Sequence, residues 1–311
     1  MLGEFEFIQN IKKKYSLEKV GDDCAVMPKD DKTDQVITAD LLVEDIDFRL
    51  EWTTPEFLGH KALAVSLSDI AAMGAEPKWA MLSLGVPENL WNSDFVDRFY
   101  EGWFALAKEF CVELVGGDIS RTPDKIVIDS IVGGEVPKGR AIMRSGAKIG
   151  DSIYVTGELG GAATGMWQLE NGAANQSSFV LKQLKPQPQL TAAKLLQTLC
   201  VIHSMIDISD GLSSDLTHIC DASGVGAKIY ADQLPINPEF VTQFGAKQSF
   251  DFALHGGEDF ELLFTADEKK FSPPQSVKIF RIGEITSDTG KIEIIRNGKT
   301  EILQPKGYRH F

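Results

Sequence analysis

Residues 54–74 read TPEFLGHKALAVSLSDIAAMG, and their reading decides more of the fold than any other stretch. Thr54 suits the residue that caps a helix, Pro55 suits the first helical position, and Gly74 suits the position just past the end. Leu58, Leu63, Leu67 and Ile70 supply the apolar body. Asp69 is the odd residue. Its neighbours at three and four residues are Val65, Ser66, Ala72 and Met73, all small or apolar. Aspartate is a mediocre helix former, and an unpaired one on such a face is costly. Either Lys61 or a backbone donor satisfies it, or it does chemistry.

Working outward, Val36–Thr38 reads as a short strand leading to Asp40, and Trp79–Val86 as another. Phe95–Phe110 is an amphipathic helix, with Phe95, Phe99, Trp103, Leu106 and Phe110 at helical spacing. Val112–Val115 reads as a strand ending at Gly116-Gly117-Asp118, and Ile126–Val136 is β-rich. A turn-forming stretch from Arg144 to Asp151 marks a boundary. Beyond it come a strand (Ile153–Thr156), helices at Gly161–Glu170 and Leu190–Leu199, and a strand at Met205–Ile208. A helix capped by Ser209 or Asp210 then runs to about Ala222. β segments follow at Ala227–Tyr230, Phe260–Thr265, Val277–Ile282 and Ile292–Arg296, and Asn297-Gly298 marks a tight hairpin turn.

Short acidic clusters recur where such elements end: Gly21-Asp22-Asp23, Thr38-Ala39-Asp40, Ser68-Asp69, Gly116-Gly117-Asp118 and Asp207-Ile208-Ser209-Asp210. Taken alone, Gly21-Asp22-Asp23 is an ordinary turn and Asp210 a natural helix cap. Their recurrence carries the argument. Gathered carboxylates repel one another, and burial raises their pKa values. Hard divalent cations such as Mg²⁺ relieve both costs, which points first to phosphoryl transfer. The glycine-rich turn Gly157–Gly165 lacks the lysine of a P-loop, and no protein-kinase H-R-D or D-F-G set is present. The five histidines show no metal-ligand spacing.

Composition narrows the class. The chain of 311 residues is long enough for two cores, and its net charge of −14 argues against a nucleic-acid or anionic-membrane partner. Four scattered cysteines without a CxxC pair point to reduced thiols and a cytoplasmic protein. The N-terminal stretch from Met1 to Glu6 lacks the pattern of a signal peptide, and no apolar run has membrane-spanning length.

The ordered set of motifs resembles the thiamine-monophosphate kinase family, in the superfamily that includes aminoimidazole ribonucleotide synthetase. The segments are Gly21–Ala25, Lys61–Gly74, Val115–Asp118, Arg144–Ala147, Tyr154–Gly157, Asp207–Leu212, Gly256–Leu262 and Lys306–Tyr308. The resemblance implies an α+β fold of two domains, residues 1–148 and 149–311, with N-terminal sheets pairing across a homodimer. It implies phosphorylation of thiamine phosphate by ATP, with several Mg²⁺ ions. By motif, Asp23, Thr38, Ala39, Asp40, Asp69, Asp118, Asp207 and Asp210 would hold metal. Gly117, Asp118, Arg144 and Ser209 would contact ATP. Asp69, Asp118, Asp210 and Arg144 would carry catalysis, and Asp47, Glu258 and Tyr308 would meet thiamine phosphate. Two positions depart from the family pattern. Ala39 replaces a hydroxyl residue, leaving only its carbonyl as a ligand, and Asp47 replaces a histidine. The competing readings are another ATP-using enzyme of the superfamily and a non-catalytic metal- or nucleotide-binding protein.

Overall fold

The computed structural model describes residues 3–172, 177–308 and 310, with Phe5 described by its backbone alone. Met1 and Leu2 of the N-terminal stretch read above lie outside them. The first half contains α1 (Glu4–Tyr15), β1 (Ala25–Pro28), β2 (Thr33–Val43), α2 (Pro55–Ala72), β3 (Glu76–Pro87), α3 (Glu88–Trp91), α4 (Phe95–Glu109), β4 (Glu113–Thr122) and β5 (Val127–Pro137). Its strands form a sheet in the order β1-β2-β5-β3-β4, antiparallel except for β3 and β4.

The second half holds β6 (Ser152–Thr156), α5 (Gly161–Glu170), α6 (Ser178–Leu184), α7 (Leu190–Leu199), β7 (Ser204–Asp207), α8 (Leu212–Ser223) and β8 (Gly226–Tyr230). It continues with α9 (Pro238–His255), β9 (Leu262–Ala266), β10 (Ile279–Thr286), β11 (Ile292–Arg296) and β12 (Lys299–Ile302). A second sheet runs β12-β11-β8-β10-β6-β9-β7. The molecule is thus α+β. Among the described residues no helix is long and apolar enough to cross a membrane.

α2 is the spine between the halves. The Thr54 hydroxyl accepts from the Phe57 amide, and Pro55 opens the helix, as its sequence predicts. Because apolar and small residues surround it on all sides, it is buried on all sides. It packs on β2 and β5 of the first sheet, on α4, and on α7 and β7 of the second half.

Three expectations change. β4 does not stop at Gly116 but runs through the glycines to Thr122, because a register shift between Ala80 and Met81 lets the ladder resume. β2 extends well beyond Val36–Thr38, pairing with β5 along its whole length. α8 is capped by neither Ser209 nor Asp210. Gly211 precedes its first residue, and Asp215 reaches back to accept the Gly211 amide at 2.9 Å. Ser209 and Asp210 are thereby left to face a cavity. The Asn297-Gly298 turn joins β11 to β12 as expected, both residues having positive φ.

Candidate active site

The acidic clusters converge from separate elements. Asp23 precedes β1, Asp69 lies near the end of α2, and Asp207 ends β7. One carboxylate oxygen from each lies within 4.8 Å of the other two. Ser68 donates to Asp207 at 2.5 Å, and the Thr38 hydroxyl donates to Asp69. Thr38 and Asp40 project from β2 toward the α2 face of the sheet, where Asp40 meets Ser66.

The electrostatics are those of an uncompensated site. Burial pushes the pKa of Asp207 up to about 7, with repulsion from Asp23 adding to it. Burial likewise raises Asp40 to about 6, against the hydrogen bond from Ser66. It carries Asp69 well above the carboxylate range, assisted by Asp40 and Asp207. Oδ2 of Asp23 and Oδ2 of Asp40 are buried with no hydrogen-bond partner among the described residues. Orphaned carboxylate oxygens in a cluster of hard donors fit Mg²⁺. Arg144 supplies one cation: its Nη2 lies 2.6 Å from Asp23 Oδ1 and its amide donates to Asp22 at 3.2 Å.

Beside this cluster lies a cavity of about 430 Å³. Asp40, Asp47, Ser209, Asp210, Glu258 and Tyr308 line it together with apolar Met166, Trp167, Phe252 and Phe260. Burial raises Asp210 to about 6, with Glu4 adding repulsion. Asp47 is half-buried and accepts the Val43 amide at 2.7 Å, and its pKa is raised by burial. Tyr308 belongs to a pinned segment: its amide donates to the Asp210 carbonyl at 3.0 Å. Gly307 passes so close to that carbonyl and to Ser214 that a Cβ would collide with both.

Three predictions fall elsewhere in the single chain: Asp118, Gly117 and the side chain of Ala39. Asp118 pairs with Ser83 on β3, which pairs with Asp129 on β5, which pairs with Leu41 on β2. That row faces away from α2, on the side opposite Thr38, Asp40 and Asp69. Ala39 lies on the same outward side. Gly117 sits beside Asp118 on the exposed edge strand, with φ of +149°, and a Cβ there would meet the Leu82 carbonyl.

Sequence reading missed several participants. Lys61 does not serve Asp69; its Nζ lies 2.6 Å from Glu258. Gln183 also donates to Glu258, and Asp22 holds Arg144. A lysine inside an apolar helical run was the available signal for the first. Gln183 carried none.

Comparison with known proteins fits both halves. Residues 21–136 match the family model of AIR synthase related protein, N-terminal domain, and residues 148–294 match that of the C-terminal domain. Thiamine-monophosphate kinase of Bacillus subtilis strain 168 is 36% identical over 308 residues, covering 94% of this chain and 93% of its own. That of Escherichia coli K12 is 38% identical over 303 residues, covering 94% and 91%. The chain belongs to the thiamine-monophosphate kinase family. The solved structure of AaThiL complexed with AMPPCP and TMP superposes with a TM-score of 0.90 at 34% identity, covering 100% of this chain and 97% of that one. The likeness therefore extends over both halves of the chain.

Proposed function

We propose that the protein transfers the γ-phosphoryl group of ATP to thiamine phosphate, giving thiamine diphosphate and ADP. The observation that carries this reading is the meeting of Asp23, Asp69 and Asp207 beside a cavity lined by apolar side chains and further acids. The family relationship and the likeness to a structure bearing AMPPCP and TMP support it. Asp23, Asp40, Asp69, Asp207 and Asp210 would hold several Mg²⁺ ions, with Thr38 and the Ala39 carbonyl beside them. Bound there, Mg²⁺ supplies positive charge that offsets the repulsion between the two phosphate groups.

The chain's own residues supply position. The nucleophile is an oxygen of the substrate phosphate, whose second pKa is about 6, so no strong general base is needed. Arg144, held by Asp22 and Asp23, offers a fixed guanidinium to the nucleotide phosphates. Ser209 lies in the cavity wall for the same ligand. Glu258 and Tyr308 meet the cationic thiazolium, the acid by charge and the ring by its face. Asp47 sits at the same end, where an acid suits the cationic heterocycle better than a phosphate. Direct in-line transfer follows from alignment of the two phosphates without a covalent intermediate on the protein.

Two copies complete the picture. The outward face of the first sheet carries Leu41 on β2, 58% exposed, and Met81 on β3, 41% exposed, and β4 beside β3 is an open edge. A homodimer formed by pairing these sheets would cover that face and bring Gly117 and Asp118 under a neighbouring subunit. Domains of residues 1–148 and 149–311 and a cytoplasmic location complete the reading. Substrate-dependent ADP release, measured with Mg²⁺ over thiamine phosphate, thiamine and formylglycinamidine ribonucleotide, tests it. Release with thiamine phosphate alone is expected, and release only with the ribonucleotide would replace it.

A further inference from the structure

Glu258 is gripped from two sides. Lys61, only 3% exposed on α2, places Nζ 2.6 Å from Glu258 Oε1. Gln183 on α6 donates through Nε2 to Glu258 Oε2. The same Lys61 Nζ lies 3.5 Å from the Asp47 carbonyl. One buried cation therefore joins two loops that line the cavity, around Asp47 and around Glu258. The Glu258 loop needs such anchors. Glu258 and Phe260 both hold positive φ, 64° and 50°, which non-glycine residues adopt only when their surroundings impose it. Its backbone is fixed as well: the Glu258 amide donates to the Ser209 carbonyl at 2.8 Å and the Phe260 amide to Ile208 at 2.9 Å.

We propose that Lys61 and Gln183 are positioning residues that aim Glu258 at the cationic, heterocyclic end of the substrate; this rests on the thiamine-phosphate reading above. Each carboxylate oxygen has a second lone pair. With one used on each side, the remaining acceptor directions are set before substrate arrives, and little ordering is left to do on binding. α2 also relates this anchor to the metal cluster. Lys61 and Asp69 stand about 12 Å apart along the helix axis, so one rigid element spaces the recognition of the substrate's ring end from that of its phosphate end. An ion pair serving stability alone would not discriminate between the two substrates.

Steady-state kinetics on the full-length protein separate these accounts, using wild type, Lys61→Met, Gln183→Leu, Glu258→Ala and Lys61→Met/Glu258→Ala. KM for thiamine phosphate should rise about tenfold in Lys61→Met and several-fold in Gln183→Leu, as expected for losing a charge-assisted or neutral hydrogen bond. KM for ATP should stay within about twofold, and the double variant should bind thiamine phosphate no worse than Glu258→Ala alone. Unchanged KM in both single variants, equal rises for both substrates, or losses that add in the double variant would overturn the clamp. Should Lys61→Met not fold, Gln183→Leu decides alone. A wild-type protein with no thiamine-phosphate-dependent turnover would overturn the functional reading, and the clamp with it.

Discussion

Asp69 shows what a single residue can reveal. Its small, apolar neighbours mark it in the sequence as needing a partner, and it meets Asp23 and Asp207. Asp69→Asn should keep the fold, since it removes a repelling charge, yet lower turnover about a hundredfold or more. Near-normal turnover in the folded variant would make the residue structural. The protonation of the cluster gives a second test. Asp22, Asp40 and Asp210 are raised to about 6 and Asp207 to about 7, in each case chiefly by burial. The folded protein therefore holds more protons than the unfolded chain from roughly pH 4 to 7. That contribution to stability is complete below the unfolded pKa and is lost as pH rises through the folded values. Metal-stripped protein should melt higher at about pH 5.5 than at about pH 8. Buried Asp259 and Glu261 shift the same way, so the response to Mg²⁺ isolates the cluster: added Mg²⁺ should raise the melting temperature more at the higher pH. Equal melting at both pH values with no Mg²⁺ response would contradict the account. The sequence offers Lys61 only as one possible partner of Asp69; its partner Glu258 lies far along the chain in a loop that sequence cannot place.

Elements with strong local signals were read closely. α5, α7 and β11 match their predicted limits, since capping and periodicity are local. β1, α1, α3, α6 and α9 are not among the elements the sequence predicts. α9 is interrupted at Gly245, which obscures its pattern, although Asn237 and Pro238 announce its start. β4 was cut short because paired glycines read as a turn, whereas here they let two strands approach. Gly117→Ala should therefore destabilise the protein by about 1–3 kcal/mol, visible as a lower melting temperature, and an unchanged one would contradict the tight β3–β4 contact. The C-terminal segment could equally have been a loose end. Its amides instead bond to Ser213, Ser214 and Asp210, and Tyr308 lines the cavity at 46% exposure. Tyr308→Ala should raise KM for thiamine phosphate with little change in KM for ATP, because an aromatic face contributes ~0.5–2 kcal/mol to holding a cation. Tyr308→Phe should be mild. Equal effects on both substrates would remove the stacking role.

For the whole molecule, the family motifs gave the two-part α+β plan, but strand order and the sidedness of the first sheet are non-local and were not legible. That sidedness separates Asp118 from the main cluster within one chain and leaves apolar residues on an open face. Met81→Asp should convert a dimer to monomer in light-scattering measurements and reduce activity. A monomeric wild-type protein of full activity would contradict the paired-sheet reading. The central claim is the reaction itself. Phosphorus NMR of purified protein with ATP, Mg²⁺ and thiamine phosphate should show thiamine diphosphate appearing as ADP accumulates, with no product from free thiamine. ATP left intact, or hydrolysed to inorganic phosphate without thiamine diphosphate, would contradict it.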